Sequence, residues 1–145
     1  MTDFATAYAR HRELQAKANA LNKPIVFDAL QAAGITRVTV EFDGEGDSGQ
    51  IDDILAYAGD NRIDFPSTNV KLHSTEWGQQ ELGTRESSLR DAVEDLCYGY
   101  LEQTHGGWQD NDGAFGQFTF DVADCRIELD FNGRYTDSWT DAHTF

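Results

Sequence analysis

The sequence predicts an α+β fold: an antiparallel sheet of four to five strands, packed on one face by a long helix from the C-terminal half of the chain and by N-terminal helices. Three observations carry this. Leu89, Val93, Leu96, Cys97, Tyr100 and Leu101 fall on one stripe of a 3.6-residue period. Phe118, Phe120 and Val122, and then Ile127, Leu129 and Phe131, alternate with polar residues, the two-residue period of half-buried strands. Val38, Val40 and Phe42 alternate in the same way with Arg37, Thr39 and Glu41.

At the N-terminus, Phe4, Ala7, Tyr8, His11, Leu14, Ala18 and Leu21 are spaced for a helix over Asp3–Leu21. Asn22-Lys23-Pro24 reads as a break and restart, since proline suits a first helical turn. A short second helix, Ile25–Ala33, then closes at Gly34. His11 lies on the apolar stripe and reads as a packed or boundary histidine, because no second ligand stands near it in sequence. Thr36–Asp43 is a strand, and Asp43–Gln50 is a loop rich in glycine and carboxylates. Ile51–Ala58 fits either period. Strand is preferred because a Gly-rich loop between adjacent segments favours a hairpin and Gly59-Asp60-Asn61 offers another turn.

Between Asn61 and Gly83, Ile63, Phe65, Val70 and Leu72 suggest a short strand or two near Pro66, with Trp77 packed over an edge. Ser88 is placed to cap a helix over Ser88–His105, with Asp91 at its positive end and Gly106-Gly107 at its stop. With Ala123-Asp124 as the turn of the next hairpin, Val122 faces Cys125, Phe120 faces Ile127 and Phe118 faces Leu129. Every apolar residue then shares a face, although Ala-Asp is not a favoured two-residue turn. Asn132-Gly133 reads as a further turn, leading into a last strand or extended segment of uncertain register.

The 145 residues fit a single domain, 1–145, with enough apolar material (39%) for a core. The two cysteines read as small core residues of a reducing compartment rather than a disulfide pair. No apolar run is long enough to span a membrane and no leader pattern is visible, so a cytoplasmic address is expected. The formal net charge is −15, from 26 acidic and 11 basic residues. Residues 41–60 contain acids and no Lys or Arg, and residues 91–145 balance their carboxylates only with Arg126 and Arg134. Direct nucleic-acid binding is disfavoured, since it needs cations to neutralise phosphates. A basic protein surface is the favoured partner.

Motifs narrow the chemistry further. Gly46-Asp47-Ser48-Gly49 resembles the segment around the nucleophile of chymotrypsin-like proteases, but over four residues only, in a chain too short for that double barrel. A tight strand-to-strand loop accounts for it. Asp43, Glu45, Asp47, Asp52 and Asp53 suggest a calcium loop, yet the positions where an EF-hand needs Gly and Glu hold Ser48 and Ile54. Asp110 and Asp112, beside Trp108, form a second acidic loop. Cys97, Cys125 and the four histidines lack the paired spacing of a zinc site. No catalytic residue, metal or cofactor is therefore assigned.

Asp43-Gly-Glu-Gly-Asp-Ser-Gly-Gln-Ile51 and Gly106-Gly-Trp-x-x-Asn-Asp-Gly-Ala-Phe-Gly116, with the Ala92–Leu96 helix between them, resemble an uncharacterised family of small acidic bacterial proteins found on plasmids, phages and integrated elements. The resemblance implies a mobile-element setting and carries no assigned activity. The leading expectation is a protein-binding inhibitor of a host nucleic-acid-binding enzyme, an acidic DNA mimic of anti-restriction or anti-CRISPR type. Its contacts would come from Asp43, Glu45, Asp47, Asp52, Asp53, Asp110, Asp112, Glu128, Asp130 and Trp108. The rivals are a divalent-cation-dependent enzyme or calcium module built on the acidic loops, and a structural or regulatory partner in plasmid or phage biology.

Overall fold

The computed structural model describes residues 4–45, 48–75, 81–105, 113–133 and 139–145. In chain order these form α1 (Phe4–Ala32), β1 (Arg37–Glu45), β2 (Ser48–Ala58), β3 (Asn61–Ile63), β4 (Asn69–Ser74), β5 (Gly83–Ser88), α2 (Leu89–His105), β6 (Ala114–Asp121), β7 (Arg126–Gly133) and β8 (Trp139–Thr144). Six strands make one antiparallel sheet in the order β3-β2-β1-β6-β7-β8, and β4 pairs with β5 in a separate ribbon. The class is the expected α+β, but among the described residues the two sheets hold eight strands rather than four or five. The longest helix is N-terminal.

That helix does not break at Asn22-Lys23-Pro24. Leu14, Ala18, Asn22, Val26 and Leu30, spaced every four residues, are all buried, so the apolar stripe runs straight through the supposed restart. Asn22 is the polar member of the stripe. Its side-chain amide donates to the His73 carbonyl (2.9 Å) and its Oδ1 accepts from the His73 N–H (2.7 Å), docking α1 onto the β4 backbone. Pro24 removes one helical bond, at the Ala20 carbonyl, on an exposed side where water can replace it. We expect Asn22→Ala to leave both His73 groups without their partner and to cost about 2 kcal/mol in chemical unfolding. The helix ends at Gly34, whose φ of +78° suits glycine. Gly34 N–H bonds the Gln31 carbonyl and Ile35 N–H the Leu30 carbonyl, both at 3.0 Å, a Schellman closure sealed by buried Ile35 and Leu30.

The β1–β2 hairpin is longer than the sequence suggested. The glycine- and carboxylate-rich segment is largely paired strand, with Asp43 opposite Gln50, Gly44 opposite Gly49 and Glu45 opposite Ser48. Ile51–Ala58 is strand, and its mixed periodicity has a cause. The register shifts after Glu41↔Asp53 to Phe42↔Ile51, so Asp52 is the extra residue of a β-bulge. The bulge resets the alternation, and Ile51, Ile54 and Ala56 all join the core.

In the second hairpin the expected register holds: Phe118 faces Leu129, Phe120 faces Ile127 and Asp121 faces Arg126. The turn takes four residues, Val122–Cys125, instead of two. Cys125 N–H bonds the Val122 carbonyl (3.2 Å), and Cys125 adopts a left-handed φ of +51° that turns it off the inward face. It is exposed, not a core residue; both cysteines are free. Asn132-Gly133 is not a turn. Gly133 stays within β7, opposite Ala114 on one side and Trp139 on the other. β8 is the expected last strand, now with a register. Gly83–Ser88, too polar to read as a strand, forms β5 against β4. The expectation for Trp77 lies outside the described residues.

Ser88 caps α2 as expected, its hydroxyl accepting the Asp91 N–H at 3.1 Å. The stripe Leu89, Ala92, Val93, Leu96, Cys97, Tyr100 and Leu101 is buried throughout. Both helices cover one face of the six-stranded sheet. Phe27 of α1 stacks on Phe120 at 5.7 Å, and Tyr100 of α2 meets Phe118 at 6.4 Å. None of the described helices is long and apolar enough to cross a membrane.

Candidate functional site

Among the described residues no helix covers the other face of the large sheet, and the strand registers assign its residues to cross-strand rows. One row runs Asp53, Glu41, Gln117, Asp130, Ala142 across β2, β1, β6, β7 and β8. The row on one side holds Gln50, Asp43, Phe115, Asn132 and Thr140; the row on the other holds Leu55, Thr39, Thr119, Glu128 and Thr144. Beyond it, Arg62, Tyr57, Arg37, Asp121 and Arg126 share the last row. The face is thus polarised. Its described cations sit in a single end row, while Glu41, Asp43, Asp53, Glu128 and Asp130 occupy the other three.

Four sequence-predicted residues, Asp43, Asp53, Glu128 and Asp130, therefore come together, and Glu41 joins them. Glu41 was overlooked because it read only as the polar partner of a core strand. Its place directly opposite Asp53 sets like charges side by side, an arrangement that works against sheet stability. Adjacent strands lie about 4.8 Å apart, so Asp53 and Asp130, three strands apart, are separated by about 14 Å. Asp121 faces Arg126 in register, but the Arg126 guanidinium pairs with Glu128 (2.5 Å). In such an exposed position that ion pair contributes at most about 1 kcal/mol. Arg37 lies over the Tyr57 ring at 4.4 Å, which holds this cation at the far end of the face.

Asp52 occupies the bulge and Glu45 the strand end opposite Ser48. Asp47, Trp108, Asp110 and Asp112 lie outside the described residues. A calcium loop over Asp43–Gln50 does not fit a segment whose described residues are strand-paired. A concavity of about 870 Å³ lies elsewhere, between the first half of α1 and α2. Its lining mixes Arg12 and Arg85 with Asp95 and Glu102, and Arg85 is paired with Asp95.

A second cluster lies on the helix-covered side. His105, the last residue of α2, and Asp141 and His143, alternate residues of β8, converge with both imidazole Nε2 atoms 3.1 Å from Asp141 Oδ2. Those two hydrogen bonds, His105 first, hold the Asp141 carboxyl below the usual carboxylate range. The cluster escapes a search for Cys and His pairs because one ligand comes from a helix end far away in sequence. Its only local signal is Asp141-Ala142-His143, two coordinating side chains at strand spacing.

Residues 18–145 match the model of a family of unknown function, DUF6878. The chain belongs to that family. The DUF6878 match begins within α1 at Ala18 and takes in both sheets, α2, the acidic rows and the His105–Asp141–His143 cluster. No curated protein and no solved structure matches the chain.

Proposed function

We propose that this chain is a protein-binding inhibitor whose bare sheet face occupies the basic groove of a nucleic-acid-binding enzyme, in the manner of an anti-restriction or anti-CRISPR factor of a mobile element. The observation that carries the reading is the segregation of charge on that face. Glu41, Asp53 and Asp130 share one row, Asp43 and Glu128 flank it, and the described cations stay in the end row.

Magnitude sets the form of the mimicry. Five carboxylates spread over about 14 Å compare with about four phosphates on one strand of a duplex over the same length. The face suits the track that a protein lays along one backbone, rather than a whole duplex. Thr, Gln and Asn side chains between the acids add hydrogen-bonding groups that polar side chains of the partner's groove can meet.

The reading is tested with the protein immobilised and exposed to basic nucleic-acid-binding proteins of its host. Captured partners should be released as salt rises and displaced by duplex DNA, because screening and competition both act on opposed charge. Asp53→Lys with Asp130→Lys should abolish capture while leaving the urea midpoint close to wild type, both side chains being exposed. A complex indifferent to DNA and to the double reversal would refute the proposal.

A further inference from the structure

Independently of the sheet face, we propose that His105, Asp141 and His143 form a binding site for a divalent transition-metal ion of borderline softness, Zn²⁺ first among them. The donor set is two imidazole nitrogens and one carboxylate oxygen, and the three ligand atoms lie within 4.8 Å of one another. Imidazole suits zinc, iron, cobalt and nickel, whereas calcium and magnesium want shells of oxygen.

The two imidazole-to-carboxylate spacings fit coordination. Zn–N and Zn–O bonds of about 2.0–2.2 Å place cis ligands roughly 3.0–3.4 Å apart, depending on whether the angle is octahedral or tetrahedral. Each Nε2 stands 3.1 Å from Asp141 Oδ2, inside that interval. The Asp141 carboxylate supplies the one oxygen donor and a negative charge.

The hydrogen bonding behind His105 fixes which nitrogen faces the site. The Thr104 hydroxyl donates its one proton to the Tyr100 carbonyl (2.8 Å), so at 2.9 Å from Thr104 Oγ1 the His105 Nδ1 must be the donor. That leaves Nε2 as the ring atom facing the cluster: in the metal-free protein it hydrogen-bonds to Asp141, and a bound cation would take the place of the shared proton. This is the outer-shell arrangement that orients metal-binding histidines. Phe131 fixes the ring plane from one side, stacked at 3.7 Å and 10°.

The walls of the site differ in exposure. The His105 side chain is 12% exposed, His143 33% and Asp141 45%. The site is therefore backed by the core and open on the Asp141 side, where a water or an external ligand completes the shell. Three ligands among the described residues, with an accessible remainder, are the pattern of exchangeable or reactive centres rather than of closed structural ones.

The test is titration of the full-length, tag-free protein with Zn²⁺ and with Co²⁺, by calorimetry and by Co²⁺ visible absorption. The expected result is one equivalent bound at micromolar or tighter affinity, with a rise in Tm, and with Ca²⁺ and Mg²⁺ at least 100-fold weaker. Asp141→Asn and His143→Ala should each weaken Zn²⁺ binding by about 100-fold, and Thr104→Val, which removes the Nδ1 acceptor together with the hydroxyl's own bond to the Tyr100 carbonyl, by about tenfold. His105 itself is packed on Phe131, so it is not the variant of choice; metal-free far-UV spectra and urea midpoints check the other three. Affinity weaker than about 10⁻⁴ M would overturn the proposal and leave an imidazolium–carboxylate cluster. So would Zn²⁺ binding that survives Asp141→Asn and His143→Ala but falls in Asp53→Asn with Asp130→Asn, which would assign the ion to the outer face.

Discussion

Phe120→Ala is expected to lower stability by about 3–5 kcal/mol, the range for emptying a fully buried aromatic position. The side chain has no exposure at all. On the central strand β6 it faces Val38 of β1 and Ile127 of β7, and it stacks on Phe27 of α1, so its removal opens a void bounded by three strands and a helix. Neighbours held from four elements have little freedom to collapse inward, which favours the upper half of the range. Urea unfolding should show a lower midpoint with an unchanged m-value. A midpoint that does not move would mean that the inward face of the hairpin has been misassigned.

Gly116→Ala is expected to cost about 3 kcal/mol for the opposite reason, an atom too many. A Cβ at Gly116 would run into the Asp130 carbonyl oxygen and lie 2.8 Å from the edge of the Phe42 ring. The first contact is with backbone, which moves only if β6 and β7 separate. Phe42 also packs against Phe118 and Phe131, at 5.7 and 6.1 Å, so its ring cannot swing aside freely. Thermal unfolding of the alanine variant should show a Tm well below wild type. An unchanged Tm would exclude the close approach of the two strands at this point.

β1, the second hairpin and α2 were legible because each has a period that nothing interrupts. Leu89 to Leu101, Val38 to Phe42 and Phe118 to Phe131 state their inward faces residue by residue, and the second hairpin's register follows because a slip of one would expose every phenylalanine. The N-terminal helix was misread at the one place where a polar side chain occupies the buried stripe: Asn22 looks like a stop until its two bonds to His73 are known. The bulge at Asp52 blurred β2, which still read as a strand, by shifting a two-residue alternation partway along. β5 gave no signal, as only Ser87 of its six residues is buried and its partner β4 supplies the apolar side chains.

Of the candidate site, individual acids were legible but not their company. Asp43, Asp53, Glu128 and Asp130 become one surface only through the pairing of β1 with β6, which joins segments that share no local pattern. The histidine cluster depends on tertiary placement even more. His105 ends a helix and His143 lies on an edge strand, and only the covering of β7 and β8 by α2 brings their rings together.

The strand order β3-β2-β1-β6-β7-β8 also governs how the chain reaches its native state. Both halves of the sheet are built from neighbours in sequence, β1 with β2 and β6 with β7, so each hairpin forms by local search. Microseconds suffice for a hairpin. The seam between β1 and β6 is different, because residues 46–113 must be looped out before Val40 meets Phe118. Loop closure of that length carries an entropy cost repaid only once the seam's side chains pack, which places the kinetic barrier at the middle of the sheet. Until that step is complete, β1 and β6 each keep an unpaired edge rich in Val and Phe, and the acidic residues alternating along β1 provide the repulsion between chains that discourages pairing with the wrong copy.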